Sequence, residues 1–127
     1  MPYRLLLIDD DRRFREALAA FLDSEGGFEV VGTADNGREG VELADSVDVD
    51  VVLMDVDMPV MDGLEASRRI HERRPELPIV LVSASQFENR VAIAGDAGAI
   101  ACVQKGRIAE DLVPTILSVV ARDVAVI

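Results

Sequence analysis

Apolar residues fall into short runs along the chain: Leu5 to Ile8, Phe28 to Val31, Val49 to Met54, Ile79 to Val82 and Ala99 to Val103. Several are continuous rather than alternating, which is how a strand buried on both faces reads. The segments between them carry helical spacing instead. Phe14, Leu18, Phe21 and Leu22 share one face of a helix that would stop at Gly26-Gly27. A second helix fits Gly37 to Val47, with Asn36 as its N-cap and Glu39 three residues on. A third fits Leu64 to Arg73, closed by Pro75, and Ser85 with Glu88 forms a capping-box pattern for a fourth that ends near Gly95 or Gly98. Ile108, Leu112, Ile116, Val119 and Val120 mark a fifth. Five strands alternating with five helices predict parallel βαβ units, and right-handed crossovers make them a doubly wound α/β sheet.

Composition narrows the picture. The chain has 127 residues and a formal net charge of -11, and half of it is apolar while 29% is charged. One domain, residues 1–127, accounts for that length, and disorder is excluded by the apolar content. The acidic balance argues against nucleic acid and against an anionic membrane surface, both of which need clustered Lys and Arg. Cys102 stands alone and His71 is the only histidine, so neither a disulfide nor a structural zinc site is available. The run Leu5 to Ile8 is too short for a signal peptide or a membrane span. The reading is a cytoplasmic protein.

In a doubly wound sheet the reactive cleft lies beyond the carboxyl ends of the strands. The first strand ends in Asp9-Asp10-Asp11, the third delivers Asp55 followed by Val56-Asp57-Met58-Pro59, the fourth ends in Ser83-Ala84, and Lys105 follows the fifth. No glycine-rich phosphate cradle of either common type is present. Two carboxylates ~4 Å apart repel by about 4 kcal/mol at an effective dielectric of 20, so converging acids call for a bound cation or a raised pKa. Mg²⁺ fits, because it is held by one or two carboxylates plus water and bridges to phosphate oxygens. With a metal and Lys105 around it, Asp55 becomes a nucleophile toward a phosphoryl group.

Taken singly, each residue has a plainer explanation. Asp11 can cap the first helix, Asp62-Gly63 is a turn, Ser83 and Ser85 are loop or cap hydroxyls, and Lys105 is a solvated lysine beside Gly106. Their placement at successive strand ends is what favours the joint reading. His71 is taken as a surface histidine and Cys102 as a buried small hydrophobe.

The stretches Leu6-Leu7-Ile8-Asp9-Asp10-Asp11, Asp50 to Gly63, Ile79 to Ala84 and Gln104-Lys105 resemble, in order and spacing, the receiver domain of two-component response regulators. The resemblance covers essentially the whole chain, and Asp55-Val56-Asp57-Met58-Pro59-Val60-Met61-Asp62-Gly63 is its most specific part. It implies a flavodoxin-like fold with strand order 2-1-3-4-5. It implies Asp55 as phosphoacceptor, Asp10 as a direct Mg²⁺ ligand, Asp9 acting largely through water, and Asp57 offering a backbone carbonyl. Ser83 becomes the switch hydroxyl and Lys105 the cation that pairs with the phosphoryl group. Two positions depart from the family's usual pattern: Cys102 replaces a rotating Tyr or Phe, and Gly106 replaces proline after the lysine. Asp57 adds a further negative charge beside the acceptor at a position where the family is variable.

The function so implied is a signalling switch, not a turnover enzyme: a sensor histidine kinase phosphorylates Asp55, and the fourth-helix, fifth-strand and fifth-helix surface engages an output domain or partner. The same surface could also join two copies, with Ile108, Val113 and the Val124 to Ile127 tail as its apolar part, and the sequence leaves the oligomeric state open. The overall style resembles receivers that precede a LuxR-type helix-turn-helix, and no DNA-binding domain is expected within this chain. Asp55-x-Asp57 also resembles the nucleophile motif of haloacid-dehalogenase-type phosphatases, although those usually carry it near the N-terminus. A phosphorylation-independent binding module is the third reading, which the joint presence of Asp10, Asp55, Ser83 and Lys105 disfavours. Flavin binding has only the sheet topology behind it.

Overall fold

The structure, a computed structural model, describes residues 1–84 and 90–125, with side chains given for all of these except 90–91 and 122–125. Strands β1 (Tyr3–Ile8), β2 (Phe28–Ala34), β3 (Val51–Asp55), β4 (Ile79–Ser83) and β5 (Ala101–Gln104) form one parallel sheet in the order β2-β1-β3-β4-β5. Helices α1 (Arg12–Glu25), α2 (Gly37–Ser46), α3 (Gly63–Arg73) and α4 (Arg90–Asp96) make the crossovers, and α5 (Ile108–Ala125) follows β5. This is the expected fold and strand order.

The strand residues divide by parity, because successive side chains in a strand point to opposite faces. Leu5, Leu7, Val51, Leu53, Val80, Val82 and Val103 face α1 and α5, where they meet Leu18, Leu22, Leu112, Ile116 and Val119. Leu6, Ile8, Val52, Met54, Ile79 and Leu81 face the other helices and meet Ala44, Ala66, Ile70, Ala94 and Ala97. Every residue of β3 and β4 is buried, so the apolar runs were continuous because both faces are covered.

Three helix starts follow the caps that the sequence offers. Asp11, Asn36 and Asp62 each accept a hydrogen bond from the backbone three residues on, at Phe14, Glu39 and Glu65. At the end of α4 the Gly98 amide donates to the Gly95 carbonyl at 3.0 Å and the Ala99 amide to Ala94 at 2.8 Å, with Gly98 at a φ of 74°. That is a Schellman ending, and it selects Gly98 over Gly95 as the terminator. The Ser85 and Glu88 capping box lies outside the described residues, as do the side chains of the Val124 to Ile127 tail.

Some boundaries move. β2 runs to Ala34, past Val31, through a bulge where β1 shifts register between Leu5 and Leu6 and Val31 is left without a partner. β3 begins at Val51 rather than Val49. Just before it the Asp50 amide donates to the Arg4 carbonyl at 2.8 Å, and Arg4 returns a bond to Asp50 Oδ2 at 2.7 Å. β5 begins at Ala101 because the Ala99 amide is used by the end of α4. Cys102 is half-buried rather than buried, since β5 is an edge strand and the groove beside it is open. His71 is exposed, as expected.

Candidate functional site

All five strands run the same way, so their carboxyl ends share one rim. Asp9 follows β1, Asp55 closes β3, Ser83 closes β4 and Lys105 follows β5. Oxygen atoms of Asp9, Asp10 and Asp55 lie within 4.8 Å of one another. Asp9 and Asp55 are each 4% exposed and Ser83 1%, whereas Asp10 is exposed. Asp57, two residues beyond the strand, is exposed as well. The sequence-predicted acids, hydroxyl and lysine therefore end on one rim, with Asp57 at its outer margin.

Lys105 Nζ lies 2.9 Å from Asp9 Oδ2 and 3.4 Å from Asp55 Oδ1. Burial pushes the Lys105 ammonium down, but Asp9 and Asp55 together outweigh it and hold its pKa above the usual lysine value. Asp55 is raised to about 6, first by burial and then by the charge of Asp9, with Lys105 opposing both. One ammonium is too little positive charge for three carboxyl groups.

Asp9 is held firmly. Its amide donates to Ala34 at 3.0 Å, its Oδ1 accepts from the Asp11 amide at 2.8 Å, and Arg15 Nη1 donates to its carbonyl at 2.7 Å. Its Oδ2 is buried, and among the described residues its one ion-pair partner is the Lys105 ammonium at 2.9 Å. A buried carboxylate oxygen left in that condition suits a cation.

The loop after Asp55 is shaped by Val60, Asp62 and Gly63. The Met61 amide donates to the Pro59 carbonyl at 2.7 Å, closing a three-residue turn about Val60, whose φ is 70°. The Gly63 amide donates to Val56 at 2.8 Å, which lays the start of α3 against the end of β3. Asp62-Gly63 is thus a helix cap and a close backbone contact.

Two further residues reach the site that the sequence did not single out. Arg15 braces the Asp9 backbone, and the ring of Phe14 lies 4.3 Å from Lys105 Nζ. Both stand in the first turns of α1, directly after the three aspartates. Phe14 was legible only as part of an apolar helix face.

Residues 5–117 match the family model of the response regulator receiver domain. The chain is 41% identical over 122 residues to the transcriptional regulatory protein PdtaR of Mycobacterium tuberculosis, covering 96% of this chain and 58% of that protein. It resembles the response regulator domain of Thermotoga maritima CheB at a TM-score of 0.86 and 28% identity, over 95% of this chain and 98% of that one. It resembles Thermotoga maritima TrrA, solved in complex with Mg(2+)-BeF, at 0.83 and 28%, over 92% and 98%. The chain belongs to the response regulator receiver domains, the phosphorylation-activated switches of two-component signalling. It spans from 26% to 58% of the length of the first curated relatives it matches. No helix among the described residues is long and apolar enough to cross a membrane.

Proposed function

We propose that Asp55 is the phosphoacceptor of this receiver, that the donor is the phosphohistidine of a sensor kinase, and that residues 1–127 work as one switching unit in the cytoplasm. The observation that carries this reading is the convergence of Asp9, Asp10 and Asp55 within 4.8 Å around a single lysine at the carboxyl rim of the sheet. An Asp55 oxygen attacks phosphorus, the phosphorus–nitrogen bond breaks, and its electron pair returns to the histidine ring. Asp9, Asp10, Asp55 and the backbone carbonyl of Asp57 are the residues that would hold Mg²⁺. When bound, Mg²⁺ supplies the charge that lets Asp55 stay ionised and draws the phosphoryl oxygens toward it.

Lys105 then exchanges a carboxylate for a phosphoryl oxygen, and the Ser83 hydroxyl turns toward the same group from the neighbouring strand end. The change spreads to the surface of α4, β5 and α5, which we assign to an output domain or to a second copy. Charge supports the absence of direct nucleic-acid binding, because -11 on this chain repels phosphate. The Mg(2+)-BeF complex of TrrA supports the choice of metal and of phosphoryl group.

Acetyl phosphate with Mg²⁺ should label the protein once, on Asp55, and peptide mapping reads the position. Label on Asp57 or Asp9, or uptake undiminished in Asp10→Asn and without Mg²⁺, overturns the assignment. Repeated turnover of a small phosphate ester would favour the phosphatase reading instead.

A further inference from the structure

Lys105 has a third neighbour that carries no charge. The Phe14 ring centroid lies 4.3 Å from Nζ, within the range in which a cation is drawn to the face of an aromatic ring. The ring is tied to the acids by a short hydrogen-bonded path. Asp9 Oδ1 accepts from the Asp11 amide at 2.8 Å, and Asp11 Oδ1 accepts from the Phe14 amide at 3.2 Å. Phe14 is half-buried and packs against the core beside the buried Leu18 and Leu22. The ring thus belongs both to the margin of that core and to the contact with the ammonium.

The lysine stands in the way of a divalent cation, because Asp9 and Asp55 are its carboxylate partners and also the would-be metal ligands. An ammonium displaced to water would have to be recovered and desolvated when a phosphoryl group arrives. A ring offers it a seat that no metal competes for. Once both acids are taken, the ring stays within reach of the ammonium, so that contact matters most in the metal-loaded state. Only such a difference between states can change metal affinity.

We propose that Phe14 is a positioning residue for Lys105: its ring keeps the ammonium at the edge of the acidic cluster while Asp9 and Asp55 exchange it for a divalent cation. The role in phosphoryl uptake rests on the phosphoacceptor reading of Asp55, whereas the role in cation exchange stands on the geometry alone.

The test is a double-mutant cycle read by Mg²⁺ titration in amide spectra, on wild type, Phe14→Leu, Lys105→Ala and the double variant. Phe14→Leu should weaken Mg²⁺ binding roughly threefold to tenfold, the size expected of a partly desolvated cation–ring contact. The same substitution in Lys105→Ala should change nothing, since the ring acts only through the ammonium. Phe14→Trp should restore wild-type affinity. In metal-free wild type the ε-methylene protons of Lys105 should be moved upfield by the ring, and they should return to the ordinary lysine position in Phe14→Leu. Equal losses in both lysine backgrounds, or unshifted ε-methylene protons in wild type, overturn the proposal. Labelling by acetyl phosphate is scored separately. Intact coupling with no label on Asp55 refutes the phosphoacceptor reading alone, and label on Asp55 with no coupling refutes the role of Phe14 alone.

Discussion

Gly63 and Asp55 meet backbone to backbone: a β-carbon at position 63 would stand 1.9 Å from the Asp55 carbonyl oxygen. The opposing atoms are main chain, so the clash could be relieved only by moving the start of α3 off the end of β3. Gly63→Ala should therefore destabilise the fold by about 3 kcal/mol, the upper part of the overpacking range. It should also slow phosphoryl uptake, because Asp55 sits on the displaced strand end. Urea unfolding and acetyl phosphate labelling check the two effects, and wild-type behaviour in both would contradict the contact.

Asp55 gives the protein a pH dependence of definite sign. Its folded-state pKa is about 6 against an ordinary 3.8, so the folded state binds this proton more tightly than the unfolded one. Stability contributed by the protonated form is present below about pH 4 and is lost as pH rises toward 6. The shift corresponds to about 3 kcal/mol at neutral pH, at ~1.36 kcal/mol per pKa unit. Asp55→Asn should accordingly be more stable than wild type at pH 7 by up to that amount, with the advantage gone at pH 4. Paired denaturant curves at the two pH values, without Mg²⁺, measure the difference. An advantage independent of pH would assign it to something other than the charge.

Val60 carries backbone strain. A β-branched residue at a φ of 70° pays a steric penalty that glycine or asparagine escapes, and its side chain is 78% exposed and gives little packing in return. Val60→Asn should stabilise by about 1 kcal/mol. Val60→Gly should gain less, because glycine loses more chain entropy on folding. Thermal melts of the two variants rank them, and a destabilised Val60→Asn would show that the turn is not strained.

Cys102 lines a groove of about 570 Å³ between β5, α4 and α5, with Ala94, Asp111, Pro114 and Thr115 around it. Cys102→Tyr should fill part of that space and change stability by less than about 1 kcal/mol. With a ring in place, the amide shifts caused by beryllofluoride should spread farther over the α4–β5–α5 face than in wild type. Large shifts in wild type that Cys102→Tyr leaves unchanged would mean that coupling to this face needs no aromatic at all.

Asp9, Asp55, Ser83 and Lys105 could be placed from sequence because each closes or follows an apolar run, and parallel strands bring such ends to one rim. Asn36 and Asp62 were legible as caps, since a side-chain cap is decided within four residues. What escaped was tertiary. Phe14 reaches Lys105 across some ninety positions of sequence, and nothing in a helical apolar stripe distinguishes a ring that packs from one that holds an ammonium. The tail of β2 was hidden because Gly32 and Thr33 break the apolar run at the bulge. Cys102 was assigned to the interior from residue type, but the exposure of an edge strand depends on the helices beside it.

The sheet has two open edges, and both are poor templates. β5 offers four residues before the chain turns at Lys105, and β2 is broken by its bulge and carries exposed Glu29 and Thr33. Short, bulged and charged edges are how sheets avoid adding strands from a neighbour. At the concentrations that spectroscopy or crystallisation requires, copies of this protein are therefore protected from joining sheet to sheet into fibrous aggregates. Contact between copies then runs through side-chain surfaces rather than through strand pairing.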